Sequence, residues 1–253
     1  MKKVIAKSAI AALSVMAFNV TASEFGEIGT YREVITPVEK NAMIEVTLTA
    51  TTADDAKVYL PAYDGGSIAS YQVLSGGNLV SGPQEANVHG RDVWVYQFDK
   101  PNADISLSQT LSVNKVYKAK KAKLKYSHPA GVKRVSYEFI NSSPATINQY
   151  SGVLTVPKGK ELYGVVTPEW SKKKKTFDIS ELNGQKVVQV DRKKLSAADS
   201  VKFKIRTYAP SAAIERTLWA LVIFLSGALL WKRRGILSEL NDSPTTTKKT
   251  ATN

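Results

Sequence analysis

Residues 44–49 read Ile-Glu-Val-Thr-Leu-Thr, and residues 105–113 read Ile-Ser-Leu-Ser-Gln-Thr-Leu-Ser-Val. Ile44, Val46 and Leu48 alternate with Glu45, Thr47 and Thr49; Ile105, Leu107, Leu111 and Val113 alternate with Ser106, Ser108, Thr110 and Ser112. A period of two puts the apolar side chains on one face of an extended chain, so both segments are expected to be strands with one face buried. The pattern recurs at Val135, Tyr137 and Phe139, and at Val201, Phe203 and Ile205 set against Lys202, Lys204 and Arg206. Val93-Trp94-Val95-Tyr96-Gln97-Phe98 is richer in large side chains and suits a central strand covered on both sides.

Turn residues separate these runs at Asp64-Gly65-Gly66, Ser75-Gly76-Gly77-Asn78, Pro157-Lys158-Gly159 and Asn183-Gly184. About a dozen short strands at this spacing predict an all-β ectodomain built as immunoglobulin-like β-sandwiches. Asn114 to Lys125 (NKVYKAKKAKLK) interrupts the alternation with dense lysine and divides the middle of the chain into a first module over 23–113 and a second over 126–210. The lysine-rich segment reads as their boundary or as a bridging strand, and one larger sandwich is the alternative. No long amphipathic helix is expected before Pro210, and Arg192 to Ser200 reads as a connection between strands.

The two ends of the chain have a different character. Lys2, Lys3 and Lys7 precede an apolar run from Ser8 to Val20, and Val20-Thr21-Ala22 supplies small residues, the order of a signal peptide over 1–22. Near the other end, Leu218 to Trp231 (LWALVIFLSGALLW) holds no charge and Lys232-Arg233-Arg234 follows at once. Trp219 and Trp231 stand where amphipathic rings favour the headgroup zone, and the basic cluster marks a cytoplasmic side, so 211–234 is expected to be a transmembrane helix. Fourteen helical residues rise only about 21 Å against a hydrocarbon thickness of about 30 Å. Such a span needs extension toward Ser211, with Glu215 and Arg216 reaching the outer headgroups. Residues 235–253 are polar and threonine-rich and read as a short disordered cytoplasmic tail. This order implies a protein of the bacterial inner membrane, with its sheets in the periplasm or outside.

Composition narrows the chemistry. The chain carries a net charge of +13 and no cysteine, which removes disulfides, thiolate nucleophiles and thiolate metal sites, and in an exported domain favours a bacterial source. Between the presumed leader and the basic stop, 27 basic residues face 20 acidic ones, a balance of +7. His89 and His128 are the only histidines and share no ligand spacing, no serine lies in a G-x-S-x-G elbow, and Asp54-Asp55 reads as turn chemistry. No catalytic, metal or cofactor residue is therefore nominated.

Two basic tracts remain. Lys115, Lys118, Lys120, Lys121, Lys123 and Lys125 form one, and Lys172, Lys173, Lys174 and Lys175 the other. They suit contact with anionic lipid or envelope polymer, or the protection of sheet edges against unwanted pairing. Nucleic-acid binding is not expected, because no aromatic platform is interleaved with the lysines and export separates them from DNA. The expected function is a single-pass envelope protein whose β-sandwich acts as a binding or assembly module for an envelope protein partner. An anchored hydrolase and a module for anionic lipid or polymer are the alternatives.

Overall fold

A computed structural model describes residues 24–38, 41–114, 118–122, 131–169, 171, 176–210 and 212–241. The alternating segments form strands. Seven belong to the first half: β1 (Glu27–Val38), β2 (Asn41–Thr51), β3 (Lys57–Pro61), β4 (Gly66–Ser75), β5 (Leu79–Val88), β6 (Arg91–Phe98) and β7 (Asp104–Val113). Seven follow: β8 (Lys118–Lys121), β9 (Val132–Ile140), β10 (Ile147–Thr155), β11 (Glu161–Thr167), β12 (Asp178–Leu182), β13 (Gln185–Leu195) and β14 (Ser200–Tyr208). The helix α1 (Ala212–Asn241) ends the described chain.

The strands make three sheets. A seven-stranded sheet has the order β12-β13-β10-β1-β2-β7-β4, a four-stranded sheet β11-β14-β9-β8, and a three-stranded sheet β3-β6-β5. Ile44, Val46, Leu48, Ile105, Leu107, Leu111 and Val113 are all buried, as their alternation requires, and β6 is the middle strand of its sheet. Sheet packs on sheet, as in a sandwich. The two halves of the chain meet where β1 pairs parallel with β10, in a register that sets Tyr31 opposite Tyr150 and Glu33 opposite Gly152. β1 is thereby the fourth of seven strands, and one cluster of buried apolar residues draws on both halves.

The β9–β10 connection ties the halves a second time. Ser142 Oγ accepts from the Ala62 amide at 2.9 Å and donates to the Asp92 carbonyl at 2.8 Å, while Ser143 Oγ donates to the Tyr59 carbonyl. The buried Asn141 side chain donates to the carbonyls of Ala145, Leu195 and Ser196, closing the same loop.

Several expectations are revised. β8 pairs with β9 and lies at the edge of the four-stranded sheet, a short lysine-bearing edge strand. β13 continues through Leu195, so the connection begins at Ser196, four residues later than expected. The helix runs seven residues beyond Arg234 into the segment expected to be a disordered tail, where Ile236, Leu237, Glu239 and Leu240 sustain helix at a cost of about 1 kcal/mol for Gly235. Among the described residues no helix is long and apolar enough to cross a membrane. The uncharged stretch of α1, Thr217 to Trp231, is half of its 30 residues and is closed by Arg216 on one side and by Lys232-Arg233-Arg234 on the other.

Candidate functional site

The most unusual chemistry lies at the centre of the sandwich. β1 alternates so that Tyr31, Glu33 and Ile35 point inward, and all three are fully buried. Glu33 thus places a carboxyl in the core, and three phenols converge on it. Tyr150 Oη donates to Oε1 at 2.5 Å, Tyr137 Oη lies 3.0 Å from both carboxyl oxygens, and Tyr63 Oη makes a short hydrogen bond to Oε2. Tyr31 Oη lies 3.3 Å from Tyr63 Oη and extends the network to a fourth ring.

These groups come from all three sheets or their flanks. Glu33, Tyr31 and Tyr150 belong to the seven-stranded sheet, Tyr137 to β9 of the four-stranded sheet, and Tyr63 follows β3 of the three-stranded sheet. Phe139 stacks on Tyr150 with ring centroids 4.6 Å apart and touches Tyr31 and Tyr63, and Phe203 packs on Tyr137. Gly152 completes the arrangement. A Cβ there would fall 2.4 Å from Tyr150 Oη and 2.7 Å from Phe203 Cζ, so only glycine leaves room for the phenol that reaches Glu33.

Burial raises the Glu33 carboxyl from its ordinary 4.5 to about 7, the phenols of Tyr150, Tyr63 and Tyr137 offsetting part of that rise by donating to the charged form. Burial, and then the nearby Glu33 charge, push the phenols of Tyr63, Tyr137 and Tyr150 upward, so they remain protonated donors. No lysine or arginine among the described residues forms an ion pair with Glu33. When the carboxyl is neutral it carries its own O–H, and one phenol must accept rather than donate. The cluster can hold or release one proton inside the core, where Glu33, Tyr31, Tyr137 and Tyr150 are all buried. It knits sheets together.

The surface offers two adjoining grooves at the end of the sandwich where the chain leaves β14. One, of about 710 Å³, is lined by Lys158, Lys160, Glu161, Glu181, Lys186 and Pro210 among others; the second, of about 510 Å³, opens between Val38, Lys133 and Val156. Glu161 is tied to Lys186 at 3.1 Å. His89 occupies the β5–β6 turn with φ 53° and packs edge-on against Phe25. Among the described residues no group of three or more His, Asp or Glu side chains is arranged to hold a metal ion.

Of the residues nominated from sequence, Lys115, Lys123, Lys125 and Lys172, Lys173, Lys174, Lys175 lie outside the described residues, as do His128 and the presumed leader. Lys118, Lys120 and Lys121 form β8 with Ala119, and Lys120 and Lys121 are exposed. Trp219, Trp231, Lys232, Arg233 and Arg234 are all residues of α1, and both tryptophans are exposed. Sequence reasoning did not find Glu33, for which the only local signal was an acid between Tyr31 and Ile35 on one strand face.

No protein-family model matches the chain, and no curated protein matches it significantly. Among solved structures the chain is similar to a mutant two-domain M1 zinc metallopeptidase with bound L-tryptophan, at 14% identity and a TM-score of 0.41. It is likewise similar to an M1 zinc metallopeptidase from Deinococcus radiodurans, at 15% identity and a TM-score of 0.41. Each alignment covers 74% of this chain and 43% of the other, so the chain spans less than half of those peptidases. A likeness this distant carries no argument about activity. What belongs to this chain is a β-sandwich knitted around a buried acid and followed by an apolar helix.

Proposed function

We propose that the chain is a single-pass protein of a bacterial envelope, with its β-sandwich held outside the inner membrane as a docking module for a protein partner. The observation that carries this reading is the surface of α1. Leu218, Ile223, Phe224, Leu229 and Leu230 point in different directions around the helix, yet all are 59–75% exposed, and Trp231 is 82% exposed. A helix that is apolar all round is stable when buried in protein or lipid, not in water. The sandwich leaves it uncovered, and Lys232-Arg233-Arg234 ends the apolar stretch as a cytoplasmic stop would. The short span is accommodated by local thinning and by snorkelling of Glu215 and Arg216.

An uncharged sheet edge supports the docking part of this reading. Of the six edge strands, β3 carries Lys57 and Pro61, β5 Pro83 and Glu85, β8 lysines, β11 Glu161, and β12 Asp178 and Glu181. Charge and proline discourage edge pairing. β4 has neither; its central residues Ser70 to Val73 keep an unbroken ladder with β7, and Tyr71 and Leu74 are exposed. An extended segment of a partner can add there through backbone hydrogen bonds. A photo-crosslinking residue at Gln72 in intact cells is expected to give an adduct with one other envelope protein, and the same residue on β12 none. An adduct between two copies of this chain would identify self-assembly instead, and no adduct at Gln72 would remove the β4 edge from the account.

A further inference from the structure

The outward face of the four-stranded sheet brings basic residues together in a way that neither lysine tract reveals. On β9, Val135, Tyr137 and Phe139 are buried, so Arg134, Ser136 and Glu138 point outward; on β14, Val201, Phe203, Ile205 and Thr207 are buried, so Lys202, Lys204 and Arg206 point outward. The register then sets Lys120 opposite Arg134 and Arg134 opposite Arg206, a row of three cations across three strands, with Lys204 one step away opposite Ser136. Like charges directly opposite each other disfavour a sheet. Glu138, the outward acid of β9, is taken by Lys202 at 3.1 Å, and Glu161 of β11, in register with Tyr208, is taken by Lys186 at 3.1 Å. Among the described residues Lys120, Arg134, Lys204 and Arg206 have no ion-pair partner.

Two aromatic rings mark the same end of the face. Tyr163 of β11 is 47% exposed and meets Tyr208 of β14 edge-on, centroids 6.4 Å apart. Glu161 pairs with Tyr208 in register, and Gly164 with Arg206, so the rings flank the cationic row. An exposed tyrosine and a half-buried one beside basic residues suit the headgroup zone of a bilayer, where the ring is half-solvated and the cations meet phosphate. The row is also close to the helix: Arg206 precedes Ala212 by six residues, which limits their separation to about 20 Å.

We infer that this face docks on the anionic phospholipid headgroups of the membrane that holds α1, with Lys120, Arg134, Lys204 and Arg206 supplying charge and Tyr163 and Tyr208 entering the interface. The inference rests on the anchored reading of α1, because tethering keeps the face within reach of one leaflet. Contact must be close, since the screening length at physiological salt is about 8 Å.

The absence of cysteine makes the test direct. Ser136→Cys in the full chain carries a nitroxide on this face, and Thr47→Cys carries one on the outer face of the seven-stranded sheet. Each protein is reconstituted in vesicles of neutral phosphatidylcholine, or of phosphatidylcholine with about 30% phosphatidylglycerol, and the label's exposure to an aqueous nickel complex is read. Shielding of the Ser136→Cys label is expected in the anionic vesicles only, reversed by high salt, with the Thr47→Cys label exposed throughout. Arg134→Gln with Arg206→Gln should reduce the docked-to-free ratio by about tenfold or more. That variant removes a like-charge opposition, so its melting temperature should match or exceed that of the parent. Equal exposure in both vesicle types overturns the inference, as does shielding that salt and the double substitution leave unchanged. Shielding by added soluble polyphosphate but not by anionic vesicles also overturns it and assigns the face to a polymer. Flotation with the neutral vesicles reads the anchor separately: a chain that stays behind them fails the anchored reading, whereas one that floats with an exposed label fails only the docking.

Discussion

Glu33→Ala is expected to lower folding stability by about 4 kcal/mol, since it leaves a void and three buried phenols without their shared acceptor. Glu33→Gln, which keeps the shape and one carbonyl acceptor, should cost less than half of that. The two variants also separate packing from ionisation. In the parent the carboxyl titrates at about 7 when folded and at its ordinary 4.5 when unfolded. Below the lower value both states hold the proton and the contribution to stability is at its fullest. As pH rises toward 7 the unfolded chain releases its proton while the native chain keeps it, so stability falls by about 3 kcal/mol across this window and then levels off. Denaturant melts of parent and Glu33→Gln between pH 4.5 and pH 8 should show the parent's advantage at the acid end shrinking and then reversing toward the alkaline end, with the pH-dependent loss much reduced in the variant. A parent that gains stability over the same interval would show that the carboxyl is charged throughout.

Gly152→Ala is expected to cost about 3 kcal/mol, a large effect for a single added methyl group. The backbone conformation is not the cause, as Gly152 is not among the residues of positive φ. The cause is space: the methyl carbon would lie 2.4 Å from Tyr150 Oη and 2.7 Å from Phe203 Cζ, distances that force one ring to move. Tyr150 cannot retreat without releasing Glu33, which couples the two sites. Tyr150→Phe removes the nearest clashing atom, so the double variant should be less destabilised than the sum of the singles by about 1 kcal/mol. Strict additivity by thermal unfolding would mean that Phe203, not Tyr150, takes up the strain.

The strands were legible where one face is apolar and the other polar. Ile44, Val46, Leu48 and Phe203 are buried because a sheet residue and its second neighbour share a face, a relation contained within a few residues of chain. β1 escaped this reading. Its inward face carries Glu33 between Tyr31 and Ile35 and its other face carries Val34, so neither face is uniformly apolar. The partners that make Glu33 tolerable lie 30, 104 and 117 residues away, at Tyr63, Tyr137 and Tyr150, distances at which sequence pattern holds no register information. The same holds for the parallel pairing of β1 with β10 and for the row Lys120–Arg134–Arg206, which exists only once three strands are aligned. Lysine density along the chain pointed to β8 and missed the two arginines that extend it across the sheet.

The helix poses the converse problem. Its composition was legible and its surroundings were not, because whether lipid, protein or water covers Leu218 to Trp231 is a property of the environment and not of local pattern. The docking reading of the β4 edge and that of the basic sheet face both depend on which of these it is. Washing the membranes of expressing cells with alkaline carbonate tests the point most directly. The anchored account predicts that the full-length chain stays in the membrane pellet, and release of the chain into the wash would contradict it.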